Sequence, residues 1–168
     1  PTFATLQRAI PADELNPFSP TMLLHQKATQ GNDKLHNRLK EHFAMPDTST
    51  EQGFADWLYL TQLVQARAMT TAVEWFRSRK SCRGALYWQL NDCWPVTSWS
   101  AIDGDGQPKP LYYASKQFFC ERLFTIQPDG EHLVLWAHND TDADWNNAVG
   151  VTLQTMEGEV KGQKQFSC

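Results

Sequence analysis

Gly84 to Trp99 reads GALYWQLNDCWPVTSW, and its first half decides the fold. Gly84–Leu90 is a short apolar run carrying Leu86, Tyr87 and Trp88, and it stops abruptly at the turn formers Asn91, Asp92 and Pro95. A helical pattern stands on either side. A buried strand between two helices is the repeating unit of a parallel α/β sheet, whose chemistry collects where the strand's carboxyl end meets the next loop. Trp88, Gln89, Asn91, Asp92, Trp94 and Trp99 fall at that end. Indole faces stack on the apolar faces of a sugar ring, while amides and carboxylates fix its hydroxyls. This mixture therefore suits carbohydrate better than phosphate or metal.

Upstream, Trp57, Leu60, Val64, Ala68, Ala72 and Trp75 return every three or four residues between Phe54 and Arg79, the stripe of a helix facing a core. Thr2–Ile10 can open a short helix, Pro20 can open another over Met22, Leu23 and Leu24, and Gly31-Asn32-Asp33 reads as a stop and a cap. Leu35, Leu39 and Phe43 then recur at helical spacing until Pro46. Downstream, Leu111–Phe119 is helical again. After it the composition shifts to short β-favouring runs at Phe124–Ile126, Leu133–Ala137 and Val149–Met156, separated by turn residues, which predicts antiparallel strands. Three such strands are too few for a sandwich of about seven.

The 168 residues are 41% apolar, enough for a core, and carry a net charge of −4 without a Lys/Arg cluster. That balance argues against a nucleic-acid or anionic-membrane surface, and no apolar run reaches the roughly 18 residues of a membrane span. Cys82, Cys93, Cys120 and Cys168 form no CxxC or Cys/His pair, so they read as thiols and no metal site follows. Asp103-Gly104-Asp105-Gly106 looks like the start of a calcium loop, but Pro108 and Ala114 stand where Gly and Glu would be needed, which leaves a tight turn. Asn139-Asp140-Thr141 matches a glycosylation sequon, yet Asn and Asp also simply make turns. No cofactor is implied.

The segment GALYWQLNDCWPVTSWSAIDGDGQPKPLYYASKQFF, Gly84–Phe119, resembles the last barrel strand, loop and helix of the β-mannosidase branch of glycoside hydrolase family 2. PTFATLQR at Pro1–Arg8, LLHQKATQGN at Leu23–Asn32 and WLYLTQLVQARAMTTAVEWFR at Trp57–Arg77 agree with it in order and spacing. The resemblance implies an α/β fold: residues 1–122 as the C-terminal part of a (β/α)8 TIM barrel, and residues 123–168 as the first strands of an antiparallel, Ig-like β-sandwich, with the chain truncated at both ends. It also implies a retaining exo-β-mannosidase that removes terminal β-mannosyl residues. In that family the nucleophilic Glu lies just ahead of the stretch resembling PTFATLQR and the acid/base Glu further upstream, so the 168 residues alone are expected to be inactive. The expected partners are a carbohydrate substrate and the remainder of the same polypeptide, with no nucleic acid and no membrane.

The chain's own carboxylates agree with that absence. A retaining glycosidase needs two carboxyl groups about 5 Å apart across one sugar, and Asp92 is the one acid beside the strand end. Glu74 lies within a helical pattern, Asp13, Glu14 and Asp47 lie in polar loops, and Glu41 has charged neighbours; all five read as solvated surface. The expected substrate-binding residues are Trp88, Asn91, Asp92 and Trp94, followed by His25, Gln26 and Trp99. Two other functions remain open: a different family 2 exo-glycosidase, acting on β-glucosaminides or β-galactosides, and a non-catalytic carbohydrate-binding module built on Trp136 and Trp145.

Overall fold

Capping side chains start most of the helices where the sequence places them. In the computed structural model, which describes residues 1–167, Thr2 Oγ1 accepts from the Thr5 N–H at 3.2 Å and opens α1, Phe3–Gln7. Ser19 Oγ accepts from the Met22 N–H at 3.2 Å, and Pro20 takes the first helical position of α2, Pro20–Leu24. α3, Gly31–Lys40, begins one step differently from expectation: Gly31 is its first residue rather than a stop. The reason is a close approach, since a Cβ on Gly31 would fall 2.3 Å from Cδ of Gln26. Thr50 caps α4, Glu51–Arg77, and Pro110 opens α5, Pro110–Phe118.

At 27 residues, α4 is about 40 Å long and serves two cores. Its first half buries Phe54, Trp57 and Leu58 among Leu6, Ile10, Met22 and Leu39. Its second half packs Ala66 and Val73 with Ala101, Leu111 and Phe118. At 100° per residue the buried face turns by roughly 110° between the halves. The stripe read from the sequence does not turn with it: Trp57 is fully buried, but Ala68 is exposed and Trp75 is 39% exposed beneath the guanidinium of Arg79. Val64, Ala68, Ala72 and Trp75 instead line an open groove of about 730 Å³ together with Phe43.

The buried strand expected at Gly84–Leu90 needs correcting. The segment belongs to no helix or strand and joins no ladder among the described residues, and Leu86, Trp88 and Leu90 are 101%, 74% and 58% exposed. Ala85 and Tyr87 nevertheless pack against the Val73–Phe118 cluster. The period of two is thus that of a strand, with one apolar row seated and the other uncovered. Among the described residues no strand pairs with it on either side.

Residues 1–119 form one unit and a second begins at Cys120. The second holds two antiparallel hairpins, β1 (Arg122–Asp129) with β2 (His132–Asn139), and β3 (Ala148–Gln154) with β4 (Val160–Ser167). Gly130, at φ +59°, makes the first turn. Among the described residues four strands are present where three were expected, because β4 reads VKGQKQFS, is exposed at every position and offers no apolar alternation. Asn139 makes a turn, its Oδ1 accepting from both the N–H and the hydroxyl of Thr141. No helix among the described residues is long and apolar enough to cross a membrane.

Candidate carbohydrate-facing loop

The residues after Leu90 fold back on themselves and on the segment before α3. Asp92 N–H donates to the Ile102 carbonyl at 3.0 Å and Ile102 N–H to that of Leu90 at 2.9 Å, which closes the loop at its base. Thr97 N–H donates to the His25 carbonyl at 2.7 Å, and Lys27 N–H returns to the Thr97 carbonyl at 3.1 Å, a short parallel pairing that ties in the His25–Lys27 stretch. Gly104 has to be glycine, because a Cβ there would sit 2.3 Å from the Trp94 carbonyl.

Two buried carboxylates hold this arrangement. Asp92, whose side chain has no exposed surface, accepts from Lys27 Nζ and Gln89 Nε2 on Oδ1, each at 3.0 Å, and from the Ser98 and Ser100 hydroxyls on Oδ2. Burial pushes its pKa up, but the hydrogen bonds from Ser100, Ser98 and Lys27, with the nearby charge of Lys109, outweigh that and leave it below the ordinary carboxylate value. Asp103, 1% exposed, accepts from Thr2 N–H and the Thr5 hydroxyl on one oxygen and from Asp105 and Gln107 N–H on the other. Its pKa is likewise lowered against its burial. Those bonds explain the Asp103–Gly106 turn without an ion.

Between these anions lies Lys109, 2% exposed. Burial lowers its pKa to about 8, against the opposing pull of Asp92 and Asp103. Among the described residues no group of three or more His, Cys, Asp or Glu could hold a metal ion.

The candidate sugar-facing residues divide into two sets. Trp88, Trp94 and Trp99 are 74%, 37% and 44% exposed, and Asn91 is exposed with its amide donating to the Asp92 carbonyl at 3.2 Å. His25 supports Trp94: its ring lies 4.9 Å from the indole and its Nδ1 bonds to the Pro95 carbonyl. Asp92 and Gln26, by contrast, face inward. Gln26 Nε2 donates to Asn32 Oδ1 at 2.6 Å and its Oε1 accepts from Ala28 N–H, so it fastens the start of α3. Lys27, Ser98, Ser100 and Lys109 escaped the sequence reading; the Pro-Lys-Pro setting of Lys109 was the one local cue to a fixed lysine. In the second unit Trp145 is packed 4.5 Å from Phe124, and Trp136 lies half-buried on β2.

No family model matches the chain. Curated relatives do: a β-mannosidase of Capra hircus is 30% identical over 164 residues, 92% of this chain and 19% of that protein. One of Mus musculus is 35% identical over 162 residues. β-Mannosidase B of Aspergillus niger is 37% identical over 102 residues, 58% of this chain. The crystal structure of the β-D-mannosidase from Dictyoglomus thermophilum superposes with a TM-score of 0.79 at 31% identity, over 99% of this chain and 21% of that one. Fold and sequence together define a glycoside hydrolase-like chain. More narrowly, the chain is β-mannosidase-like, and it spans about a fifth of the length of the curated relatives it matches.

Proposed function

We propose that these residues are the part of a retaining exo-β-mannosidase that carries the closing strand, loop and helix of a (β/α)8 barrel, together with the opening strands of a β-sandwich domain from about residue 123. The observation that carries the barrel reading is the uncovered row Leu86, Trp88 and Leu90 opposite the seated row Ala85 and Tyr87. A strand apolar on both faces belongs in a parallel sheet covered on both sides, and a barrel supplies that cover. The mannoside substrate is supported by the relatives' shared β-mannosidase title.

In this function Trp88 stacks on the terminal sugar, Trp94 and Trp99 wall the mouth, and Asn91 meets a hydroxyl. Asp92 acts through what it holds: its four side-chain donors fix Lys27, Gln89, Ser98 and Ser100, and with them the loop. Asp92 and Asp103 are both saturated by donors, so neither is free to attack an anomeric carbon. The nucleophile and the acid/base are assigned to carboxylates outside these 168 residues. One would attack the anomeric carbon while the other protonates the leaving oxygen, and water would then release the sugar with retention.

Turnover of 4-nitrophenyl β-D-mannoside tests this assignment. The 168-residue chain should give no rate above background. A rate that disappears on Asp92→Asn would place the chemistry inside the chain and sink the proposal.

A further inference from the structure

His25 closes α2 and is held from two sides. Its carbonyl accepts from the Thr97 N–H at 2.7 Å, and its Nδ1 bonds to the Pro95 carbonyl. A carbonyl can only accept, so Nδ1 carries the proton, and in the neutral ring Nε2 is left with a lone pair. No hydrogen bond engages Nε2 among the described residues. Nor is it one of the buried polar atoms without a partner, so it opens to solvent. The direction of Nε2 is therefore set by a bond on the other side of the ring, while its own capacity to accept stays unused.

Beside it lies Trp94, 37% exposed, with ring centroids 4.9 Å apart and planes inclined by 44°. The two rings present an aromatic face and a fixed acceptor side by side. A sugar offers the complement of that pair: C–H groups to lie over the indole and, at the ring's rim, a hydroxyl that can donate. An ionised phosphate or carboxylate has no proton to give, and an apolar ligand would strip water from Nε2 and put nothing in its place. Gln26, next in the chain, does not share this arrangement, because its amide nitrogen and oxygen are both used within the chain.

We infer that His25 is a sugar-binding residue, its Nε2 accepting a hydrogen bond from a hydroxyl of the ring that stacks on Trp94. The inference rests on the carbohydrate-facing reading of the loop and adds to it one directed polar contact. The bond to Pro95 then has two effects: it steadies the loop, and it selects the tautomer able to accept.

Nitrogen NMR of the histidine rings in the 168-residue chain tests this at pH 8, with methyl β-D-mannopyranoside as the probe and the indole N–H signals reporting the tryptophans. His25→Asn identifies the His25 signals by their loss. In the free chain His25 should show a protonated Nδ1 and a bare Nε2. As the probe is added, the Nε2 signal should move toward that of a hydrogen-bonded nitrogen together with the Trp94 indole, while the Nδ1 signal stays in place. In His25→Asn the amide can still donate to Pro95 but the side chain ends there, so the half-saturating concentration should rise about three- to tenfold, the loss of one neutral hydrogen bond. His25→Gln brings an amide oxygen out to the Nε2 position and should restore part of that loss. Should either variant fail to fold, the ring titration of the unchanged chain decides. A Trp94 response without one at Nε2, a free chain with its proton on Nε2 rather than Nδ1, or unchanged affinity in folded His25→Asn would overturn the role of His25 and leave the sugar-facing loop standing. If none of Trp88, Trp94 and Trp99 responds to the probe, the carbohydrate reading of the loop falls, and His25 with it.

Discussion

Replacing Asp92 should reveal how much of the loop hangs on one carboxylate. Asp92→Asn keeps the volume but turns one acceptor oxygen into a donor. On that side either Lys27 and Gln89 or Ser98 and Ser100 would then face an N–H₂ group. Lys27, with about a quarter of its side chain exposed, can recover part of its loss in water. Ser100, at 0% exposed, has no water to turn to, and losing its hydrogen bond to the carboxylate costs about 1.5–3 kcal/mol. Breaking one side of a buried charged pair costs about 3–5 kcal/mol, and the partial exposure of Lys27 places this case toward the lower end. Lys27→Met should cost less, about 1–2 kcal/mol, because the carboxylate keeps Gln89, Ser98 and Ser100. Urea unfolding followed by near-ultraviolet circular dichroism gives both values. In the double variant the two losses should fall short of additivity by at least about 1 kcal/mol. The acid side carries the same signature. A carboxyl whose folded pKa lies below its unfolded value contributes fully above the ordinary carboxylate range and loses that contribution as pH falls through it. Additive losses, or an Asp92→Asn cost below about 1 kcal/mol, would refute the idea that Asp92 organises the loop.

Lys109, held to about 8, should make the chain gain stability as pH rises from about 8 toward the unfolded value near 10.4, since the unfolded state binds more protons across that window. Lys109→Met should flatten this gain, and a wild-type-minus-variant difference with no slope there would contradict it. In a polypeptide with mannosidase activity, Trp88→Ala should lower kcat/KM about tenfold or more, with Trp88→Phe recovering part of the loss. In the 168-residue chain, where Trp88 is 74% exposed, the same change should move unfolding free energy by no more than about 0.5 kcal/mol. Gly104→Ala should lower stability by about 1–3 kcal/mol by pushing on the Trp94 carbonyl, and an unshifted Trp94 indole NMR signal in that variant would count against the close approach.

The starts of α1 and α2 were legible because their causes are local. Ser19 with Pro20, and Thr2 before Phe3, carry their caps within one turn. The face that α4 buries was not legible. Periodicity follows one stripe, whereas the helix changes partners near Ala66, and those partners come from residues up to Phe118. Gly84–Leu90 was read as a buried strand; its exposure alternates as a strand's would, but it joins no ladder among the described residues, since alternation belongs to the segment but pairing belongs to its neighbours. Trp88 and Trp94 were singled out as sugar-facing by type and position, and both are exposed. The partners of Asp92 could not: Lys27 lies 65 residues away, and nothing in HQKATQ marks that lysine for an ion pair.

The crossing of Thr97 with His25 and Lys27 has a consequence for anyone exchanging parts between this chain and its relatives. Main-chain bonds, the Lys27–Asp92 ion pair and the His25–Trp94 contact join the same two stretches at three points. Neither stretch is therefore a portable cassette. A chimaera that imports Asn91–Ser100 from a relative must bring that relative's counterpart of His25–Lys27 with it, or the incoming loop will rest on the wrong support.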